Sequence, residues 1–392
     1  MNGVILAILK KNTWTHLYSF NGNIDINVEL VDEQLGANRN MKKRFCVYII
    51  SLLVFSIGLV GCGNDAANSQ ENLQAIEEKS FITKSESNTI TESPPQEITN
   101  DNNTAITNSI VYMSEEISPE SLTAIYEALD ASHTGRIAIK LSTGEPGSNY
   151  LRPELIGDLV QSFDDPTIVE CNTAYGGSRA STAMHYQVAE DHGYTAIADV
   201  DIMDADGSMR LPVEGGINLT ENYVGINFNH YDYYVVLSHF KGHSMAGFGG
   251  AIKNISIGIA SSEGKANIHS GGARGSIWGG NQDAFLESIA EAGKSVVDAL
   301  DGNILYINVM NRLSVDCDCD GSPAEPDMHD IGILASYDPV ALDQACVDLI
   351  YAAEDGGSLV DRIESRNGLH TLEHAEAIEL GSRTYDLVTI AP

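Results

Sequence analysis

Seven basic or imidazole side chains, His239, Lys241, His243, Lys253, Lys265, His269 and Arg274, fall between Ser238 and Gly275 in SHFKGHSMAGFGGAIKNISIGIASSEGKANIHSGGARG. Glycines there let the backbone approach a ligand closely and turn its N–H groups toward an anion. In a chain of formal net charge −33 this is a concentrated local exception. It reads as a pocket for a small anionic substrate or cofactor, against the alternative of a glycine-rich surface loop with solvated charges. Lys253 is flanked by Ile252, Ile255, Ile257 and Ile259, and an amine in apolar surroundings loses proton affinity and can serve as nucleophile or covalent anchor. His239 and His243 are four apart, but Gly242 and Gly247 favour a loop, so a helical two-histidine metal site is not inferred.

A second constellation is Asp316-Cys317-Asp318-Cys319-Asp320-Gly321. Thiols two residues apart can chelate a soft metal, ligate part of an iron–sulfur cluster or close a small-ring disulfide. The three neighbouring carboxylates disfavour a free thiolate, and a cation reverses that effect, so metal binding ranks above cysteine nucleophilic catalysis. No CxxC pair is present, and a four-cysteine cluster would have to recruit Cys171 and Cys346. Cys346 sits in the apolar run ALDQACVDLI and reads as a small core residue; Cys171 is the better candidate. In ECNTAYGGSRAST the glycines ahead of Arg179 expose its guanidinium, whose fork suits a carboxylate. DVDIMDADGSM fails as a calcium loop, because Gly207 in sixth place puts Ile202 and Val213 at the first and twelfth ligand positions.

Elements must place these groups. Short β-branched runs predict strands over 136–141, 167–171, 195–199, 233–237, 304–309, 331–335 and 385–390, and amphipathic stretches predict helices over 119–129, 153–163, 181–192, 282–300 and 339–351. Ser118 and Asp338 each precede a proline and read as N-caps. The alternation predicts an α/β fold with a mainly parallel sheet, helices on both faces and room for two lobes. Ligands of such sheets sit beyond the carboxyl ends of the strands, which is where the polar clusters begin.

The body spans residues 110–392, and before it lie three segments of different character. Residues 62–109 are small, polar and acidic, the composition of a disordered linker. Residues 41–61 open with MKKRF, continue with CVYIISLLVFSIGLV and close on Leu59-Val60-Gly61 before Cys62, which resembles a lipoprotein signal peptide ending in a lipobox. Residues 1–40 carry no positive signal region and read as an upstream extension ahead of translation starting at Met41. Cys62 would then be the lipidated first residue. At about 0.8 kcal/mol per buried methylene, its acyl chains would hold the protein to the extracytoplasmic face of the cell membrane. The first 61 residues hold 6 basic and 4 acidic side chains, leaving 16 against 51 thereafter, net −35. A surface of that sign repels nucleic acid, so the expected partners are a small anion and the membrane.

The stretches NTAYGGSR, SHFKGHSMAGFGGAIKNISIGIAS, GKANIH, CDCDG and DIGILASYDPVALDQACVDL resemble the domain of unknown function 362 family, some of whose members are described as iron–sulfur centre proteins. More distantly, His243, Gly249-Gly250, Lys253 and His269 are similar in order and spacing to the segment of nickel-dependent lactate racemase that holds its nickel pincer cofactor. That similarity implies Lys253 as covalent link, His269 as metal ligand and His243 as proton carrier. Arg179 and Thr182 resemble part of the racemase substrate loop, but Ser178 stands where those enzymes place a catalytic histidine.

Together these features predict a tethered extracytoplasmic metalloprotein. Its site would comprise Arg179, His239, His243, Gly249, Gly250, Lys253 and His269, with Cys317 and Cys319 as further metal ligands. An iron–sulfur cluster, another transition metal or a nickel pincer cofactor would serve it. An isomerase, a redox enzyme and a non-catalytic metal- or solute-binding lipoprotein all remain open at this level. Cys62→Ser is expected to block processing or release the protein from membranes. A mature-sized, acyl-labelled Ser variant still fractionating with membranes would refute the anchor.

Overall fold

The computed structural model describes residues 17–21, 25–29, 108–273 and 280–391. The expected signal at 41–61, Cys62, the linker as far as residue 107, and Arg274 lie outside them. Leu17–Asn21 (β1) pairs antiparallel with Asp25–Glu29 (β2). Thr99–Pro392 is one compact unit.

Eight strands form the central sheet: Ser109–Ser114 (β3), Ile137–Lys140 (β4), Thr167–Glu170 (β5), Asp199–Ile202 (β6), Tyr233–His239 (β9), Ile304–Met310 (β12), Gly332–Ser336 (β13) and Tyr385–Thr389 (β14). Their order is β14-β3-β13-β12-β9-β4-β5-β6. Only β13 runs antiparallel to its neighbours; the other pairings are parallel. Ser208–Pro212 (β7) and Glu221–Gly225 (β8) form an antiparallel pair set apart from the sheet.

Alternation along β9 shows how both faces are covered. Tyr234 and Val236 enter one core; Tyr233, Val235 and Leu237 enter the other. The second core is closed by Pro119–Ala128 (α1) and Pro153–Gln161 (α2), through Leu122, Ile125, Ile156 and Leu159. All seven residues of β9 and all seven of β12 are buried, which is why these strands read as continuous apolar runs. Ser118 and Asp338 cap as expected, Ser118 accepting from the Ser121 N–H and Asp338 from Val340 and Ala341.

The strand expected over 195–199 begins only at Asp199. Gly193, at φ 84°, follows the helix Thr182–Asp191 (α3), and the chain then makes a single turn over Tyr194–Ala196. The Tyr194 hydroxyl is drawn inward to donate to the Leu151 carbonyl at 2.6 Å, and that burial overrides the β-propensity of the run.

After β9 the chain makes a tight hairpin, Lys241–His243 (β10) with Gly247–Gly249 (β11), then two short helices, Ala251–Ser256 (α4) and Ser262–His269 (α5). Gln282–Leu300 (α6) and Pro339–Ala352 (α7) pack behind α4 and fill the first core with Phe285, Ile289, Val340 and Ala345. Gly357–Ser365 (α8) and His370–Ala377 (α9) complete that layer. Among the described residues no helix is long and apolar enough to cross a membrane.

A helix of only six residues cannot sustain itself, so α4 is held from outside. Asp343 of α7 accepts from the Ala251 N–H at 2.7 Å and the Ile252 N–H at 3.0 Å, and Asn308 of β12 steadies the same carboxylate at 2.7 Å. A Cβ at Gly250 would lie 2.3 Å from Asp343 Oδ1, so only glycine admits this approach. Burial raises the Asp343 carboxyl to about 6, against the opposing pull of these hydrogen bonds. Asp343→Ala should therefore cost about 2–4 kcal/mol by stranding buried N–H groups. Chemical denaturation measures it, and a loss below about 0.5 kcal/mol would show that α4 does not depend on the cap.

Candidate active site

The carboxyl ends of β4, β5, β9 and β12 converge on a cavity of about 110 Å³. β4 ends in Lys140, β5 in Glu170 and β9 in His239; the loop after β12 brings Cys317, Asp318 and Cys319; α4 and α5 bring Lys253 and His269. Five of the lining side chains, Lys140, Arg179, Lys241, Lys253 and Lys265, are basic, against the two carboxylates Glu170 and Asp318. The basic cluster of the glycine-rich segment thus faces a common space.

Arg179 lines that space, but protein carboxylates already occupy its fork. Nε lies 3.1 Å from Glu145 and Nη1 lies 3.0 Å from Glu170, while Nη2 donates to the Tyr175 hydroxyl at 3.1 Å. Burial would raise the Glu170 carboxyl, yet Arg179 and His185 hold it well below the usual carboxylate range. The exposed, substrate-holding guanidinium expected from the sequence is instead a buried brace between strand ends.

His239 is similarly engaged. Its Nδ1 faces both Asp318 oxygens at 3.0 Å and its Nε2 faces the Asn311 carbonyl at 2.7 Å. Neither nitrogen offers a lone pair to the cavity, so the expected role in proton transfer gives way to positioning Asp318. Lys241 meets the same carboxylate at 2.9 Å. Burial would raise Asp318, but these two cations hold it far below its ordinary value.

His243 and His269 present opposite tautomers. His243 Nδ1 accepts from the backbone N–H groups of Met245 (3.1 Å) and Ala246 (2.9 Å), so its hydrogen resides on Nε2. His269 Nδ1 donates to the Lys265 carbonyl at 2.7 Å, leaving Nε2 with a free lone pair. Burial, then the nearby cations, keeps both rings neutral: His269 falls to about 4 and His243 well below its ordinary value. One imidazole is therefore a hydrogen donor and the other an acceptor or ligand. Orientation of a ligating imidazole through its second nitrogen is a recurring feature of metal sites.

Lys253 is perturbed in the direction of the neutral amine. Burial first, then Lys241, Lys265, Arg179 and Lys140, lowers its amine to about 7. Gly249 lies over it, a Cβ there reaching 3.3 Å from Lys253 Cδ. Lys140, which the sequence did not single out, falls to about 8 through burial, partly offset by Glu170, and donates to the Leu141 carbonyl and Asn254 Oδ1 at 2.6 and 2.7 Å. Its only sequence signal was a lysine closing an apolar strand.

Cys317 and Cys319 are joined as a disulfide. The ligand atoms of His243, Cys317 and Cys319 lie within 4.8 Å of one another, the one such metal-capable group among the described residues. His269, expected beside the thiols, stands outside that group and reaches the cavity from α5. A metal at the pair would need the sulfurs reduced and, from His243, release of the Nδ1 contacts or loss of the Nε2 hydrogen. His269 Nε2 needs neither change. Cys171 donates to the Ile259 carbonyl at 3.2 Å and burial raises it to about 12, while Cys346 is buried against Asn308. No four-cysteine cluster is assembled among the described residues.

Among solved structures, the apoprotein of lactate racemase from Thermoanaerobacterium thermosaccharolyticum is similar at 15% identity and a TM-score of 0.33, over 52% of this chain and 51% of that one. A protein from Thermotoga maritima is similar at 12% identity and a TM-score of 0.34, over 66% of this chain and 58% of that one. The chain thus spans about half the length of the racemase. No curated protein matches it. A family model described as domain of unknown function (DUF362) matches residues 137–348, from the start of β4 into α7, and takes in every residue lining the cavity. The chain belongs to the domain of unknown function 362 family.

Proposed function

We propose that this protein is an enzyme acting on a small anion in the basic cavity, tethered through Cys62 to the extracytoplasmic face of the membrane. The observation that carries the enzymatic reading is the set of neutral groups inside a cationic pocket. A protein that merely retains an anion is served by charged donors. Here an amine lowered to about 7 and an imidazole lone pair at His269 stand beside a fixed Nε2–H at His243. The amine gives and takes a proton at neutral pH, and the two neutral imidazoles offer a hydrogen and a lone pair to what it acts on. In this reading Lys241 and Lys265 attract the anion, Lys253 is the nucleophile or base, and His243 donates to an oxygen on which charge develops.

His269 Nε2 is the nitrogen best prepared to ligate a metal, while Cys317 and Cys319, when reduced, would share one with His243; a metal at either place would supply Lewis-acid or redox chemistry. A second reading, a nickel-pincer racemase or epimerase of 2-hydroxy acids, is favoured by the conjunction of a neutral-capable Lys253 and a ligand-ready His269. The Ser178 N–H donates to Glu145 at 2.9 Å, and its side chain brings no second imidazole to that edge. An isomerase of this kind would need a different second base, and Lys140 is in place to serve.

Lys253 provides the test. Its reaction with a small acylating agent should follow a titration centred near pH 7, with inorganic phosphate or lactate slowing the labelling; a midpoint near 10 would refute the reading. Stability gives an independent check. The unfolded chain keeps this proton up to about pH 10.4, whereas the folded chain releases it near 7. Wild-type stability should therefore rise with pH across that window relative to Lys253→Met, which should be the more stable at pH 7 by about 4 kcal/mol at most.

A further inference from the structure

We propose that the Cys317–Cys319 bridge is an exchangeable disulfide, opened by a small anionic thiol that the basic cavity recruits, with Cys319 the sulfur attacked and Cys317 the sulfur that leaves. Recruitment rests on the anion-binding reading above; the direction of exchange rests on the loop alone.

The two sulfurs differ in what they face. Cys317 is buried, at 6% exposure, whereas Cys319 is only partly buried, and both line the cavity. The Cys319 backbone N–H donates to Cys317 Sγ at 3.2 Å. A donor fixed on one sulfur stabilises charge there, which makes that sulfur the better leaving group.

The flanking carboxylates would oppose a thiolate if they pointed at it. Asp318 is held by His239 and Lys241, Asp316 by Arg362 at 3.0 Å and by the Ala324 N–H, and Asp320 accepts from the Ser322 N–H. Their charge is thus turned to other partners, and the field over the sulfurs is left to the cavity lysines. The loop has its own anchors, Glu145 N–H to the Asp318 carbonyl at 2.8 Å and Asp320 N–H to the Cys317 carbonyl at 2.9 Å. Opening the bridge therefore leaves both sulfurs in place.

In the first step the incoming thiolate, having lost its proton to water, bonds to Cys319 Sγ. The Cys317–Cys319 bond breaks, and Cys317 Sγ carries away the electron pair, taking a proton from solvent. A second thiolate attacks the outer sulfur of the mixed disulfide and Cys319 leaves as a thiolate. Two thiols have been oxidised to one disulfide, and the protein bridge has been reduced to two thiols. Cys171 and Cys346 are buried elsewhere, so among the described residues no third thiol takes part in the exchange. Only after opening are the two sulfurs available to a soft metal.

The test uses the full chain purified without reductant, exposed to mercaptosuccinate, 2-mercaptoethanol and cysteamine at matched thiolate concentration, with alkylation and mass spectrometry following the opening. Mercaptosuccinate should act about tenfold faster than cysteamine, and Lys241→Met with Lys265→Met should reduce that ratio below about threefold. Wild-type protein quenched early should carry the mixed disulfide on Cys319, with Cys317 alkylated as the released thiol. Equal rates for the three thiols, a faster cationic thiol, an adduct on Cys317, or a bridge absent from protein purified this way would each overturn the proposal. Unselective opening alongside a Lys253 titration near 7 overturns this inference alone, whereas selective opening with Lys253 titrating near 10 overturns the enzymatic reading alone.

Discussion

Keeping cations apart from carboxylates inside a strongly acidic protein is the constraint on which the site depends. Two buried carboxylates stand at the cavity wall, and each is saturated by specific partners: Glu170 by Arg179, His185 and Thr143, Asp318 by His239 and Lys241. Because those five partners absorb the negative charge, Lys140 and Lys265 are left to bond neutral carbonyl and amide oxygens. Lys253 then sits among cations and, among the described residues, has no carboxylate to hold its proton. A buried amine with like charges around it is driven toward the neutral form, and breaking either carboxylate cluster would change that balance.

The same economy governs the backbone. Lys253 rides on a helix too short to be stable alone, and the Asp343 cap, the Asn308 contact and the bare Gly250 fix its direction from the core side. The tethered aspartate is not near the chemistry. Its effect is to convert the packing of α7 against β12 into the placement of one amine, which is how a sheet core sets the geometry of a loop-built site.

Much of the architecture was legible because both cores impose clear patterns. β9 and β12 announce themselves as apolar runs, and Pro119, Pro153 and Pro339 mark helix starts. The glycine-rich segment was legible as a basic cluster, and it lines the cavity, while α4 and α5 inside it were not legible, since their stability comes from Asp343 and from burial rather than from local propensity. β7 and β8 were missed for a related reason, being a polar pair packed under α6 rather than part of the sheet. Arg179 lines the cavity, yet its partners Glu145 and Glu170 are 34 and 9 residues away and nothing in the chain order advertises them. His239 and Asp318, 79 residues apart, pose the same difficulty. Residue type revealed which groups were able to act; only the fold revealed which were already occupied.

That distinction separates catalysis from retention. His239 closes β9 and His243 closes β10, four residues apart, and yet one has both nitrogens bound to acceptors while the other keeps a hydrogen free. His269 is the complement, with its lone pair free. A pocket selected only for affinity gains from protonated imidazoles, which add charge toward an anion. Burial that suppresses protonation at both His243 and His269 sacrifices that attraction, and lowering Lys253 sacrifices more. What the arrangement gains is proton donors and acceptors that are populated at neutral pH and held in opposite senses, a gain that matters when bonds to hydrogen are made and broken in the pocket.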